Sequence, residues 1–269
     1  MRAMFPRLAN QTILFVGDSL GRNQYVALAA LVWEADDWCI TTTSYTHSVR
    51  WNFTVALLWS AHILDIEYQD LARDLSKKSL TVNLTRHLSG EFEYPFGFRV
   101  PTVLFLSTGH HWQRSQYMTK HPHLGNVDMG VLSAGVRRAN QLLKPFSHRT
   151  RIIWRAVAPR HYESGEWNTG GKCNSRIPYS PEALLYQLIY NEGFTPLDGV
   201  KASVVIKAEA MSSGYGFMDI LPWTLPRKDA HVSQLHRSGS VTDCTHYCIP
   251  GVPDMWNNIF LRLLVPTKQ

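Results

Sequence analysis

The stretch Thr12-Ile-Leu-Phe-Val-Gly-Asp-Ser-Leu20 constrains this chain more than any other. Five apolar or β-branched residues run directly into Gly17-Asp18-Ser19, which reads as a short buried strand closed by a tight turn. From Leu20 to Glu34 the spacing changes to helical, with Tyr25, Leu28, Ala29 and Val32 on one face. Strand, sharp turn and helix form the opening unit of an α/β protein with a central, mostly parallel sheet and helices on both faces. Asn52–Trp59 and His62–Glu67 read as a strand pair, and Pro101–Ser107, Arg151–Ala158 and Ala202–Lys207 as three more buried strands. Helices are expected over Asp128–Leu143, over Pro181–Glu192 behind a Ser180 cap, and over Pro253–Leu264. Ligands of such sheets bind beyond the carboxyl ends of the strands, so Ser19, Gly109-His110 and Arg160-His161 should share one rim.

Composition narrows the classes. The 269 residues are 45% hydrophobic and 18% charged, which fits a packed core and excludes disorder. The net charge of +6 is spread thinly, with its densest spots at Arg137-Arg138, Arg149 with Arg151, and Arg227-Lys228. That pattern is solvated surface and gives no nucleic-acid partner. No apolar run is long enough to span a bilayer, and Met1–Gln11 lacks the apolar centre of a signal peptide. The whole chain, 1–269, reads as a single domain. Cys39, Cys173, Cys244 and Cys248 show no CxxC spacing, and their even number permits two disulfides. Sequons begin at Asn10, Asn52 and Asn83, which together with the cysteines leans toward the secretory pathway.

Ser19 at a strand-to-helix turn presents its hydroxyl at the sheet edge, beside helix N–H groups able to hold an oxyanion. The bland reading is that Ser19 only caps the helix. Asp243 and His246, three residues apart in Asp243-Cys-Thr-His246, can face one another, so that the carboxylate fixes the imidazole while the imidazole takes a proton. Alone, each would be a surface Asp and a satisfied His. Together they give the chain order, Ser early and Asp-x-x-His late, of SGNH/GDSL hydrolases. Asp18 fits a structural hydrogen-bonding role better than that of a second acid. His110 and His111 are neighbours that point apart, and no third ligand accompanies them, so no metal is expected.

Five ordered blocks extend this reading. They are Phe15–Gln24, Ser107–Trp112, Ala158–Cys173, Arg227–His231 and Asp243–Asn257, the last reading Asp-Cys-Thr-His-Tyr-Cys-Ile-Pro-Gly-Val-Pro-Asp-Met-Trp-Asn. In these blocks the chain resembles the trichome birefringence-like, PC-esterase-type polysaccharide O-acetyltransferases over nearly its whole length. The resemblance implies an SGNH-hydrolase-like three-layer sandwich and an acetyl-serine at Ser19, with His246 as base and Asp243 as its orienting acid. Read from the residues themselves, Gly21, Arg22, Asn23, Gly109, His110, Arg160 and His161 are the candidate oxyanion and substrate contacts; His110 fits a rim or a packed core equally, and Arg160-His161 with Trp167-Asn168 fit either a sugar groove or a loop held by its own hydrogen bonds. The resemblance also implies a Cys173–Cys244 disulfide; the polar cluster Arg227, Asp229 and His231 is expected to order the loop before the catalytic one. The implied activity is transfer of an acetyl group from a donor co-substrate onto a cell-wall-type polysaccharide such as xylan. The setting is the Golgi lumen, with no cofactor. A carbohydrate acetylesterase on the same triad and a non-catalytic glycan-binding protein are the alternatives. The chain departs from the family pattern at Ser107, where family members often carry Asn. The family's upstream cysteine-rich segment and membrane anchor are not expected within these 269 residues. A Cys39–Cys248 bridge stays open.

Overall fold

The computed structural model describes residues 2–66, 75–94, 97, 100–112, 127–165, 170–191, 193–233 and 242–265. Seven strands form one sheet: β1 (Thr12–Gly17), β2 (Ile40–Thr41), β3 (Tyr45–Ser48), β4 (Phe53–Trp59), β5 (Val103–Ser107), β6 (Arg151–Arg155) and β7 (Gly216–Met218). Their order across the sheet is β2-β3-β4-β1-β5-β6-β7. The five strands from β4 to β7 in that order run parallel, and β2 and β3 form an antiparallel edge.

The period of two along β1 builds the two cores. Leu14 and Val16 face one side with Leu104, Leu106, Ile152 and Trp154. That side is covered by α2 (Val82–Ser89), α3 (Met129–Leu143) and α5 (Pro196–Ser212), the fifth helix, which follows α4 (Pro181–Tyr190). Ile13 and Phe15 face the other side with Phe105 and Ile153, beneath α1 (Ser19–Ala35) and the last helix, α7 (Val252–Leu264). A short α6 (Leu221–Thr224) precedes α7. Phe15 stands 4.9 Å from the Phe105 ring and 5.3 Å from Phe260, tying two strands to α7. Burying one such side chain contributes about 1.5–3 kcal/mol. The result is a three-layer α/β/α sandwich.

Two sequence expectations fail. Ala202–Lys207 is the middle of α5, not a strand. The short stretch Ala-Ser-Val-Val-Ile-Lys, with its apolar Val-Val-Ile centre, fits a strand and a helix segment equally, and the helix starts earlier, with Pro196 at its first position. The edge place goes to β7 instead. The described part of His62–Glu67 is likewise irregular, apart from one isolated bridge, Leu64 to Leu80. The partners of β4 are β1 and β3. In the other elements the expected boundaries shift by a few residues at most; Ser180 does cap α4, accepting from the Ala183 N–H. Outside the main sheet, β8 (His231–Ser233) and β9 (Asp243–Tyr247) make a small antiparallel pair.

Candidate active site

Helix α1 begins where β1 ends. Asp18 is its cap, and its Oδ1 accepts from Leu20 N at 3.0 Å and Gly21 N at 3.3 Å. The first helical turn leaves its leading N–H groups without intrahelical partners. The cap takes those of Leu20 and Gly21, so the Ser19 N–H is the one left open beside the half-buried Ser19 hydroxyl. A Cβ on Gly17 or on Gly21 would run into Ser107 Oγ, so both positions need glycine for β5 to pass this close. Gly109 lies at the adjacent strand end and packs on Val157, where a Cβ would meet Cγ2 at 2.5 Å. Its N–H has no hydrogen-bond partner among the described residues.

The second arm is β9. Asp243 Oδ1 accepts from the backbone N–H of Thr245 and of His246, each at 3.0 Å. Its Oδ2 lies 2.8 Å from His246 Nδ1. Burial opposes the Asp243 charge, yet the hydrogen bonds from the His246 ring and from the two N–H groups outweigh it and hold the carboxyl well below the usual carboxylate range. A carboxylate only accepts, so Nδ1 carries the imidazole proton and Nε2 is left with a lone pair. That Nε2 is shielded from solvent and has no hydrogen-bond partner among the described residues. Asn23, one turn beyond Ser19, links the two arms. Its Nδ2 donates to Tyr247 O at 3.1 Å and its Oδ1 accepts from Tyr247 N at 3.0 Å, as a neighbouring strand would. The Cys173–Cys244 disulfide ties β9 to a loop 71 residues away in sequence.

With this geometry in place, comparison with known proteins is informative. The model of the PC-Esterase family, a GDSL/SGNH-like acyl-esterase family found in Pmr5 and Cas1p, matches residues 1–263. The chain belongs to the PC-Esterase family. It is 28% identical over 299 residues to protein trichome birefringence-like 14 of Arabidopsis thaliana, an alignment spanning 95% of this chain and 70% of that one. Among solved structures it resembles an acetylxylan esterase from Geobacillus stearothermophilus, with TM-score 0.50, 14% identity and 96% of each chain covered. It also resembles an α/β hydrolase from the metagenome of Lake Arreo, Spain, with TM-score 0.51, 12% identity, and 97% and 98% coverage. At such identities these two likenesses concern the fold.

Several residues expected at the rim of this PC-Esterase domain lie elsewhere or are already engaged. Gly21 gives its N–H to Asp18 and is needed for close packing, so it is not an open oxyanion donor. Both ends of the Asn23 amide bond Tyr247, which fixes the side chain between the two arms. Arg160 is buried and pairs with Asp198 Oδ2 at 3.1 Å. His161 is buried against His231. His110 turns its Nε2 to Ala158 O at 2.7 Å, and burial, with the Arg160 charge second, pushes it down to about 3. Among the described residues, these three side chains, which stand in the loops after β5 and β6, bond to the protein's own backbone and side chains. Arg22 is exposed at the head of α1. Trp167 and Asn168 lie outside the described residues. Cys39 and Cys248 are both unbridged thiols, so the Cys39–Cys248 pairing is absent. Among the described residues no group of three or more His, Cys, Asp or Glu could hold a metal ion. Among them, too, no helix is long and apolar enough to cross a membrane.

Sequence reasoning missed Arg155. This buried guanidinium ends β6 beneath the first turn of α1 and donates to Gln24 Oε1 at 2.9 Å and Leu20 O at 3.3 Å. Its face lies 4.8 Å from the Trp256 ring, and burial lowers its pKa to about 10 despite the nearby Asp18 charge. The only signal was an arginine inside the apolar run Arg151-Ile-Ile-Trp-Arg-Ala-Val-Ala158.

Proposed function

We propose that this chain modifies a polysaccharide by moving acetyl groups through an acetyl-serine on Ser19, with His246 as general base and Asp243 as its orienting carboxylate. One observation carries the reading. His246 is fixed by Asp243 so that a solvent-shielded Nε2, unpartnered among the described residues, remains on a strand that Asn23 clamps to the helix headed by Ser19. Nε2 takes the Ser19 proton as Oγ attacks the acetyl carbonyl of the donor. The oxyanion rests on the N–H groups of Ser19 and Gly109, each contributing about 3–4 kcal/mol of barrier lowering in sites of this kind. His246 then protonates the departing group. In the second half a sugar hydroxyl gives its proton to Nε2 and attacks the acetyl carbonyl; as the acetyl–serine bond breaks, Nε2 returns the proton to Ser19 Oγ.

Membership of an acyl-esterase family supports acyl chemistry. The fold neighbour named an acetylxylan esterase makes a xylan-type glycan the acceptor class of choice. The same neighbour favours a second reading, in which water takes the acetyl group and the product is acetate. We assign the protein to the secretory pathway and its Golgi lumen, on the Cys173–Cys244 bridge and the exposed sequon residues Asn10, Asn52 and Asn83. Incubation with an aryl acetate and a panel of wall oligosaccharides, read by mass spectrometry, separates the readings. Acetylated xylo-oligosaccharide supports transfer. Acetate alone supports the esterase, and neither product supports a glycan-binding protein without catalysis.

A further inference from the structure

Two buried histidines behind β9 make a contact that neutral rings cannot satisfy. His161 Nε2 lies 2.8 Å from the Leu225 carbonyl oxygen. His231 Nδ1 lies 2.9 Å from the carbonyl oxygen of His246. A carbonyl only accepts, so each of these nitrogens must carry a proton. The two remaining nitrogens, His161 Nδ1 and His231 Nε2, face each other at 2.6 Å. Two neutral imidazoles bring two protons in all, and both are already directed at carbonyls. Facing lone pairs at that distance repel. Turning either proton inward instead sets a lone pair against a carbonyl oxygen. All three hydrogen bonds exist together only with a third proton.

We propose that His161 and His231 share that third proton, forming a buried imidazole–imidazolium pair that positions His246. The pair touches His246 through its backbone, since the His231 Nδ1–H holds the His246 carbonyl while Asp243 holds the ring. Charged groups of both signs face the pair. The carboxylates of Asp229 and Asp243 favour it, whereas Lys228 and a charged His246 oppose it. Arg227 is occupied by Asp229 in a two-pronged contact, with both N···O distances at 2.9 Å. The Tyr247 ring lies 4.3 Å from His231, and Tyr179 lies 6.3 Å from His161 with the Lys228 ammonium over its face. Burial, then the charge of the partner ring, pushes His161 down to about 3, and burial pushes His231 down to about 4. Burial thus opposes an extra proton on either ring, and the case for one rests on the three contacts and the proton count. The shared proton is held by the short N···N bond, which a lone buried imidazolium would lack.

When pH rises far enough to remove the shared proton, one of the three bonds must break, and His246 loses part of its anchorage. This consequence rests on His246 acting as the base; the proton count does not.

The test uses the intact protein with 15N-labelled histidine, and long-range proton–nitrogen spectra that separate protonated from bare ring nitrogens. At neutral pH the two rings together should show three protonated nitrogens. In His161→Gln and in His231→Asn the surviving ring should become neutral, with one protonated and one bare nitrogen; the lost signals provide the assignment. Two bare nitrogens across the pair in the wild-type protein would overturn the proposal, and this readout needs no variant to fold. For the positioning role, His231→Asn should lower kcat on an aryl acetate about tenfold to a hundredfold with KM little changed, and should shift the alkaline limb of the kcat profile. An unchanged kcat and limb in that folded variant would contradict the positioning role. If Ser19 failed to take an acetyl group, the proposed function would fall and the proton count would stand.

Discussion

Replacing Asp243 by Asn changes one atom and inverts the chemistry of its neighbour. The Asn Oδ1 can still accept from the N–H groups of Thr245 and His246, as the carboxylate does at 3.0 Å, so the turn keeps its shape. The other end of the amide is a donor, now 2.8 Å from His246 Nδ1 in place of the carboxylate oxygen. Nδ1 must then accept, which sends the ring proton to Nε2, the atom that has to be bare to receive the Ser19 proton. The variant also loses the negative charge that supports the imidazolium. Trapping a triad histidine in the wrong tautomer lowers kcat by about ten-thousandfold, or about 5.5 kcal/mol at 1.36 kcal/mol per decade. The assay is initial-rate hydrolysis of an aryl acetate, with circular dichroism to check the fold. A folded Asp243→Asn variant within about tenfold of wild-type kcat would refute the assignment, because less than about 1.4 kcal/mol would then depend on the carboxylate.

Three further outcomes follow from the same geometry. Gly21→Ala drives a methyl group into Ser107 Oγ and should destabilise by about 1–3 kcal/mol, measured by urea unfolding; Ser107→Ala in the same chain removes the clashing oxygen and should restore stability. Cys244→Ser opens a crosslink spanning 71 residues, so chain entropy assigns it about 4 kcal/mol of stability; an unfolding midpoint unchanged by the substitution would contradict that. Burial holds His87 at about 4 and His110 at about 3, below the unfolded value of about 6.5. Each group's contribution is therefore complete above about pH 6.5 and is lost as pH falls toward the folded value, by about 1.4 kcal/mol per unit. Thermal melts should show a falling Tm from about pH 7 to about pH 5, and a flat Tm over that window would show that these rings are not buried neutral.

What was legible in the sequence was local. The strand, the Asp18 cap, Ser19 and helix α1 lie within one continuous stretch, and each carries its own signal: an apolar run, a capping carboxylate and a helical period. Asp243 and His246 were readable for the same reason, being three residues apart in one strand. What was not legible depends on partners far away in the chain. Arg160 and His161 looked like rim residues until the fold brought them Asp198, 38 residues on, and His231, 70 residues on. Asn23 was expected to face substrate, and its bonds to Tyr247 span 224 residues. The error over Ala202–Lys207 has another origin: its buried residues are Ala202, Ser203 and Ile206, while the apolar Val204 is exposed, so a window of six residues shows neither period clearly.

The central claim, a nucleophilic Ser19 activated by His246, is tested most directly by trapping the covalent intermediate. The protein is mixed with an aryl acetate in the absence of any acceptor, quenched with acid, digested and mapped by tandem mass spectrometry. The account predicts one acetyl group on the Ser19 hydroxyl, absent in Ser19→Ala and sharply slowed in His246→Ala. An acetyl group carried by another residue, or rapid acetate release by a folded Ser19→Ala variant, would contradict it.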